Sequence, residues 1–409
     1  MSSSQNNDRS NQQIHTLYVR QEFDDCLKLI ERVLRETDNL CEYALFTKAL
    51  IQRQRGLIQE SLQLFQQATA INPHNVANLK QVARSLYLLG KHRAAIDAYE
   101  EAAKIGAPDW EIMHNKGMCL MYLKQYDGAI ESFRAASDIQ PHDSTFIQLG
   151  KLFTLLDDTP SALDVYMRAL EHSPENTEVL TTLGLLFLRT SNNEHAFTHL
   201  GNSLAHDPRN PRTILAVGSI HQDNQDMDVA LIKYRVAAAL TPNSPQLWNN
   251  IGMCFFGKQR YIAAIACLKK AVYLGPFEWI ISYNLGLVHL HTQQYASAFH
   301  YLSASINLHA DFAHSYMYLA IALSKLDDQD NACSAYEKAI SLAAEPGEPL
   351  FHLNYAVLLQ SQGSIDLAKA HLAQFHELYD TGIEDSTAHV DPDVGEQALR
   401  LGQRLAAAM

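Results

Sequence analysis

Long apolar runs and targeting signals are missing from this sequence. No apolar stretch approaches the roughly 20 residues that a membrane-spanning helix needs. Residues 1–13 are rich in Ser, Asn and Gln and lack the apolar core of a signal peptide, and Ser2 stands where N-myristoylation requires glycine. We therefore expect no direct membrane insertion, so that any association with membranes comes through partners.

Cysteine is scarce, and cations are outnumbered. The six cysteines form no CxxC pair and mostly fall within predicted helices, so we expect the buried, reduced thiols of a cytosolic protein.

The 32 Lys and Arg residues against 45 Asp and Glu leave a net charge of −13 with neutral histidine. Nonspecific nucleic-acid binding needs clustered cations that replace phosphate counterions. This balance therefore argues against nucleic acid as a partner.

Recognisable catalytic and cofactor motifs are also missing. Residues 252–258 fit the start of a GxxxxGK phosphate loop, but Gln259 replaces the Ser or Thr that would bind magnesium, and the segment between is apolar and helical in pattern. His195 and His199 are one helical turn apart, which by itself makes a poor metal site. No Ser/His/Asp or Cys/His arrangement stands out by spacing. We expect no enzyme activity, no cofactor and no metal.

What the sequence does contain is a repeat. A small residue returns at steps of 33 or 34 residues, with a last step of 36, in the series Ala49, Ala83, Gly117, Gly150, Gly184, Gly218, Gly252, Gly286, Ala320 and Ala356. This period is the signature of tetratricopeptide repeats, and the ten small residues are predicted to pack where two helices of a repeat approach closely. Because no repeat buries its apolar stripe alone, the repeats must stack. The predicted fold is an all-α superhelix (α-solenoid) of about ten helix-turn-helix repeats with helical caps and a concave groove.

The repeat also predicts the boundaries of the chain's segments. We expect residues 1–13 to be disordered and residues 14–41 to form a degenerate capping repeat. The array is predicted over residues 42–380, with repeats starting near 42, 76, 110, 143, 177, 211, 245, 279, 313 and 349. Residues 381–390 are predicted to form a loop. Residues 391–409 are predicted to form a capping helix whose Val394, Ala398, Leu399 and Leu405 seal the last repeat.

The first helix of each pair supplies most of the inner wall of such an array. Asparagine holds the sixth position of four repeats, at Asn115, Asn250, Asn284 and Asn354, with Asn249 beside it. This pattern resembles the inner asparagine ladder of the O-GlcNAc transferase array, which holds an extended peptide by its backbone. An exposed amide can pair with both N–H and C=O groups. The alternative, asparagine merely tolerated on a solvated helix face, stays open.

A cationic pair is a second candidate for binding. Lys80, Arg84 and Asn115 resemble part of the carboxylate clamp of chaperone-binding arrays, but Ser144 and Gln148 stand where the third repeat should add Lys and Arg. The clamp is therefore incomplete. Lys80 and Arg84 could instead pair with acidic side chains of a partner.

The residues between the packing positions point to one family. The stretches 78–92, 173–184, 247–258, 283–289 and 294–300 closely resemble the Bardet–Biedl syndrome protein 4 family, the tetratricopeptide-repeat subunits of the BBSome. The resemblance covers about residues 40–359 and includes residues that the repeat itself does not require. The N-terminal arm differs from the family's, and the sequence does not include the long polar tail of some relatives.

The resemblance implies a non-catalytic scaffold in a cytosolic coat-like complex that carries membrane-protein cargo to and from cilia. It implies other BBSome subunits as partners, held by the groove and its rims. Indirect partners would be an Arf-like GTPase, the membrane cargo, the intraflagellar transport machinery and centriolar satellite proteins. The implied location is the cytoplasm, with the cilium, the ciliary base and the centrosome.

Other functions stay open from the residues alone. A free-standing peptide-binding adaptor, such as a chaperone cofactor or a ubiquitin-ligase subunit, would use the same array. A regulatory arm of an enzyme is disfavoured, because the repeats leave little of the chain for a catalytic domain. The aromatic turn with Phe277 and Trp279 is a further candidate contact for a partner.

Overall fold

The fold is built from helices throughout the part of the chain that the computed structural model describes, residues 2–343, 347–384 and 392–407. These residues form 23 α-helices and no β-strand. The all-α tetratricopeptide class predicted from the period is therefore confirmed. The chain divides into two compact units, residues 1–206 and residues 207–409.

Twenty of the described helices form ten consecutive pairs, five pairs in each unit, and each pair is one repeat. The first helices are α3 (Glu42–Gln54), α5 (Val76–Leu88), α7 (Trp110–Tyr122), α9 (Asp143–Leu155), α11 (Thr177–Arg189), α13 (Pro211–Asp223), α15 (Pro245–Gly257), α17 (Trp279–His291), α19 (Ala313–Lys325) and α21 (Pro349–Ser361). The second helices are α4 (Ile58–Ile71), α6 (His92–Ile105), α8 (Tyr126–Ile139), α10 (Thr159–His172), α12 (Asn193–His206), α14 (Met227–Leu240), α16 (Tyr261–Leu274), α18 (Tyr295–Leu308), α20 (Gln329–Leu342) and α22 (Ile365–Glu384). The first helices begin at the ten residues where the sequence places the repeat starts.

The small residues of the period lie where the two helices of a pair are closest. All ten are buried, and each glycine among them faces the side chain sixteen residues later. A Cβ on Gly150 would lie 2.4 Å from Cζ of Tyr166, and a Cβ on Gly252 would lie 2.7 Å from Cγ of Leu268. Real carbon atoms do not approach that closely without a shift of the structure. Glycine at these positions therefore sets the distance between the helices.

The turn between the helices of each pair contains one residue in the left-handed conformation. Its φ lies between 58° and 85° in the set Gly56, Gly90, Lys124, Asp157, Ser191, Gln225, Gln259, Gln293, Asp327 and Gly363. This conformation ends the first helix and reverses the chain, as is common after a C-cap. Only three of the ten are glycine, so the other seven carry the steric cost of a Cβ in this region.

The N-terminal segment differs from its prediction. Residues 1–13 are predicted from their polar composition to be disordered, but α1 covers Ser2–Val19. Ile14 on this helix is fully buried and packs with Cys26 and Ile30 of α2 (Phe23–Glu36). Once this apolar contact fixes one helical turn, each further residue adds a backbone hydrogen bond while only its own backbone loses conformational entropy. Composition alone could not show this tertiary anchor.

The C-terminal segment agrees with its prediction only in part. Helix α22 continues to Glu384, so residues 381–384 of the predicted loop at 381–390 are helical, and residues 385–390 lie outside the described residues. Helix α23 (Pro392–Ala407) buries Ala398, Leu401 and Leu405 against α21 and α22. Val394 is partly buried in the same cluster. Leu399 was expected to seal the last repeat, but it is 64% exposed, because it follows Ala398 directly and so lies on another face of the helix.

The cysteines are all free thiols. Burial raises the pKa of Cys119 to about 12 and that of Cys254 to about 11, so both stay protonated at neutral pH. Of the helices that the structure describes, none is both long and apolar enough to cross a membrane.

Candidate protein-binding surfaces

The predicted asparagine ladder forms a hydrogen-bonded chain within the second unit. Nδ2 of Asn284 on α17 donates to Oδ1 of Asn249 on α15 at 2.8 Å. Nδ2 of Asn249 donates to Oδ1 of the adjacent Asn250 at 3.3 Å. Nδ2 of Asn250 in turn donates to the hydroxyl of Tyr234 on α14 at 3.4 Å. Helices α14, α15 and α17 are thus joined through the amide groups at the fifth and sixth positions of two neighbouring repeats and the hydroxyl of Tyr234.

The chain of hydrogen bonds ends at a partly buried acceptor. The Tyr234 hydroxyl lies 3.4 Å from Oε1 of Gln222 on α13, and Sγ of Cys254 donates to the same oxygen at 3.4 Å. Burial raises the pKa of Tyr234 above its usual value. The network therefore stays uncharged at physiological pH, and its polar groups satisfy one another inside the stack.

These contacts correct the expectation of exposed amides. Asn284 is only 7% exposed, and Asn249, Asn250 and Asn284 each donate one of their two amide N–H groups within the chain. Asn354 lies at the same repeat position, where its Nδ2 meets only Sδ of Met317 at 3.4 Å. Asn115, in the first unit, is half-buried. The asparagines of the second unit therefore join neighbouring repeats, and Asn284 is not the exposed amide that the sequence predicts.

A nearly uncharged surface covers four of the five first helices of the second unit, all but α13, which carries Arg212 and Asp223. Helices α15, α17, α19 and α21 pack against one another in order. Apart from histidine, their only charged residue is Lys325, at the last position of α19. The ninth position of each repeat on this surface holds an apolar, incompletely buried side chain: Met253, Leu287, Ile321 and Val357. We call these four residues the apolar stripe.

Sequence reasoning missed the apolar stripe, although its signal is the same period that revealed the repeats. Three of its residues are half-buried and Val357 is 48% exposed, and a row of accessible apolar side chains on adjacent helices is a candidate contact for other molecules. The first helices of the first unit differ, since each carries charged residues, such as Lys80 and Arg84 on α5. The stripe is therefore a property of the second unit.

In the predicted cationic pair of the first unit, Lys80 is already paired with carboxylates of this chain. Nζ of Lys80 lies 2.7 Å from Oδ2 of Asp109 and also contacts the carboxylate of Glu111. These hydrogen bonds raise the pKa of Lys80 against the opposing effect of burial. Arg84 is exposed. A partner's carboxylate would have to displace two existing ones from Lys80, so the predicted pair is reduced to Arg84.

The aromatic turn divides into an exposed and a packed residue. Phe277 is 83% exposed. Trp279 begins α17, and its ring centroid lies 4.8 Å from those of His309 and Phe312. Only Phe277 is thus fully available to a partner, whereas Trp279 holds neighbouring repeats together.

The apparent phosphate loop is part of a helix. Its residues from Gly252 to Gly257 lie in α15, and Lys258 forms an ion pair with Asp228. Within the described residues, no group of three or more His, Cys, Asp or Glu side chains is placed to hold a metal ion.

Comparison with known proteins identifies the families that this chain resembles. A family model described as tetratricopeptide repeat matches residues 110–143, and another with the same description matches residues 245–276 and 313–346. The Bos taurus protein named BBSome complex member BBS4 is 51% identical over 398 residues, covering 97% of this chain and 76% of that protein. The Mus musculus protein of the same name is 50% identical with the same shares. The Xenopus tropicalis protein is 49% identical over 400 residues, covering 97% and 77%.

Solved structures of distant sequence share the fold. The crystal structure of the APC/C hetero-tetramer Cut9–Hcn1 matches 98% of this chain and 96% of the solved chain, with a TM-score of 0.53 and 15% identity. A tetratricopeptide repeat protein from Parabacteroides merdae matches 61% of this chain and 98% of its own, with a TM-score of 0.51 and 15% identity. At this identity the likeness shows a common architecture alone.

Proposed function

This chain belongs to the BBS4 family of BBSome complex members, and from that membership we propose that it is a non-catalytic scaffold subunit of the BBSome. In this role it binds other subunits of a coat-like complex that carries membrane-protein cargo to and from cilia. Its work is to hold surfaces in fixed relative positions. A stack of rigid helix pairs is suited to that task.

The observation that carries the proposal is the apolar stripe on the first helices of the second unit. Met253, Leu287, Ile321 and Val357 recur at one repeat position on four adjacent helices that carry almost no charge. Obligate interfaces between subunits are more apolar than ordinary protein surface and have few charges at their core. We infer that a sister subunit covers this stripe in the assembled complex.

The further partners follow from the same family membership. We propose that the Arf-like GTPase, the membrane cargo, the intraflagellar transport machinery and centriolar satellite proteins are reached through the assembled complex. The proposed location is the cytoplasm, the cilium, the ciliary base and the centrosome.

A free-standing adaptor for acidic C-terminal peptides has less support. It requires Lys80 and Arg84 as a free cationic pair, whereas Lys80 is held by Asp109 and Glu111. Displacing two carboxylates to bind one would gain little, because ion pairs at such partly exposed sites are individually weak.

Affinity purification from ciliated cells tests the proposal. The tagged chain should recover other BBSome subunits, identified by mass spectrometry. The double variant Leu287→Glu/Ile321→Glu should lose at least one of them, because burying two unpaired carboxylates in an apolar interface is costly. Circular dichroism should show that the variant keeps its helices.

The matched control is Leu367→Glu/Leu399→Glu, which introduces the same two charges at exposed apolar positions on α22 and α23. It should recover the full set of subunits. Failure of the unmodified chain to recover any BBSome subunit would contradict the scaffold role. Full recovery by the double variant would leave membership intact but remove the apolar stripe as the contact.

A further inference from the structure

One segment of the second unit carries a net positive charge in this acidic protein. Residues 229–277 contain six Lys and Arg residues and no Asp or Glu, although the whole chain has a net charge of −13. The segment covers most of α14, all of α15 and all of α16. Its potential is therefore opposite in sign to that of the protein as a whole, and it attracts acidic groups.

A cleft of about 490 Å³ lies between α14 and α15 in this segment. Its apolar lining includes Ile232 on α14 and Trp248 and Phe255 on α15. Ile232 is 65% exposed, so its side chain is accessible to a partner at this cleft. Arg235 and Arg260 stand in the same lining.

A second recess of about 550 Å³ adjoins the first at Arg260, which lines both. It extends along the start of α16 past Ile262, which is 88% exposed. Two recesses joined at one arginine and flanked by exposed isoleucines form a continuous surface, which we call the basic cleft.

The other polar groups of the basic cleft are already paired. Lys258 forms an ion pair with Asp228. Nζ of Lys270 lies 3.6 Å from the centroid of the Trp248 ring, and the indole N–H of Trp248 donates to the carbonyl of Pro242 at 2.8 Å. The exposed guanidinium groups of Arg235 and Arg260 have no carboxylate partner among the residues that the structure describes. Two arginines are therefore left to bind an external anion.

We propose that the basic cleft binds an acidic segment of a partner protein, in which apolar side chains alternate with Asp or Glu. Leu, Ile or Phe side chains of the segment fill the recesses beside Ile232 and Ile262. Its carboxylates pair with Arg235 and Arg260, whose planar guanidinium groups favour two-point contact with carboxylates. The surface lies on α14, α16 and the outer edge of α15, so it leaves the apolar stripe free.

Shape favours a protein segment over a lipid surface. A recess between two helices admits a narrow chain, whereas a bilayer presents a broad plane. The carboxylate of Asp228, which is paired with Lys258, also lines the first recess, and a peptide can place an apolar residue opposite this pair.

Fluorescence anisotropy with the full chain tests the proposal. The probes are fluorescein-labelled 12-residue peptides in which pairs of Leu, Ile or Phe, spaced two to four residues apart, stand among Asp and Glu. Acidic peptides with apolar pairs should bind, with an affinity that falls as salt is added. Peptides with Lys in place of the acids, or without the apolar pair, should bind at least tenfold more weakly. The double variant Arg235→Glu/Arg260→Glu should weaken binding at least tenfold.

The matched control is Lys233→Glu/Lys269→Glu, which makes the same change in net charge on α14 and α16 but outside the lining. It should change the affinity less than threefold. Equal losses of peptide affinity in the two double variants would overturn the proposal, since the net charge of the protein would then explain binding. Absence of binding by every acidic peptide would also overturn it. So would binding to phosphatidylcholine vesicles with one-fifth phosphatidylserine in place of the peptides.

Discussion

Asn284 and Asn249, thirty-five residues apart, join two neighbouring repeats through a hydrogen bond of 2.8 Å between their side-chain amides. Replacing Asn284 by Ala removes the donor and leaves Oδ1 of Asn249 without this partner. We expect the free energy of unfolding to fall by about 1 kcal/mol, the usual cost of such a loss. Urea unfolding followed by circular dichroism measures it.

Asn354→Ala is the control for this prediction. Asn354 holds the same repeat position, but its amide meets only the weak acceptor Sδ of Met317 at 3.4 Å. Its replacement should cost less than that of Asn284. Equal losses from the two variants would show that the amide chain adds no stability beyond side-chain packing.

The close approach of paired helices predicts a large effect at Gly252. In Gly252→Leu, the new Cβ would lie 2.7 Å from Cγ of Leu268 and 3.4 Å from the carbonyl oxygen of Ala264. The two helices must separate, and we expect a loss of about 1–3 kcal/mol from overpacking. The midpoint of urea unfolding checks this value.

Gly201→Ala supplies the contrasting substitution. Gly201 lies within α12, and a Cβ there would meet nothing within 4 Å. Because alanine is the better helix former, this variant should gain up to about 1 kcal/mol. A gain at Gly252, or a large loss at Gly201, would contradict the packing role assigned to the small residues.

The repeat frame could be predicted because it depends on local periodicity. Each small residue, such as Gly150, must face a bulky one, such as Tyr166, at a constant separation in the chain. That constraint recurs in every repeat and is visible in one sequence. The start of each first helix follows from it.

Contacts between repeats were harder to predict. The ion pairs of Lys80 with Asp109 and Glu111 join side chains 29 and 31 residues apart, and they depend on which side chains of neighbouring helices meet. Spacing identifies Lys80 as a residue of the inner wall but does not show that its charge is neutralised. The exposure of the asparagines is mispredicted at Asn284 for the same reason, since its partner Asn249 lies on a neighbouring helix.

The left-handed turn residues predict a gain from glycine. Gln293 has a φ of 59°, where a Cβ is strained and glycine is not. Gln293→Gly should therefore raise the free energy of unfolding by about 0.5–1 kcal/mol, the steric gain less the extra flexibility of glycine in the unfolded chain. The reverse change, Gly90→Gln, should lower it by a similar amount, since Gly90 has a φ of 73° and open space around it. Urea unfolding should show that the free energy of unfolding rises in Gln293→Gly and falls in Gly90→Gln.

A histidine pair predicts that acid destabilises the last repeat. Nδ1 of His352 on α21 lies 3.0 Å from Nδ1 of His371 on α22. Burial lowers the pKa of each ring, and the nearby His371 lowers that of His352 further, while Gln374 and Glu337 act in the opposite direction on His371. The unfolded chain therefore binds protons more readily than the folded one. Stability is full above the ordinary histidine pKa of about 6.5 and falls as the pH drops below it.

His371→Gln isolates this effect from the other histidines. The melting temperature of the unmodified protein should fall between pH 7.5 and pH 5.5. The variant should show a smaller fall, because His352 no longer faces a second ring that can become charged. His114, His199 and His289, whose pKa values are also lowered by burial, remain in both proteins and account for the residual slope. An identical fall in the two proteins would show that the His352–His371 pair contributes nothing to the pH dependence.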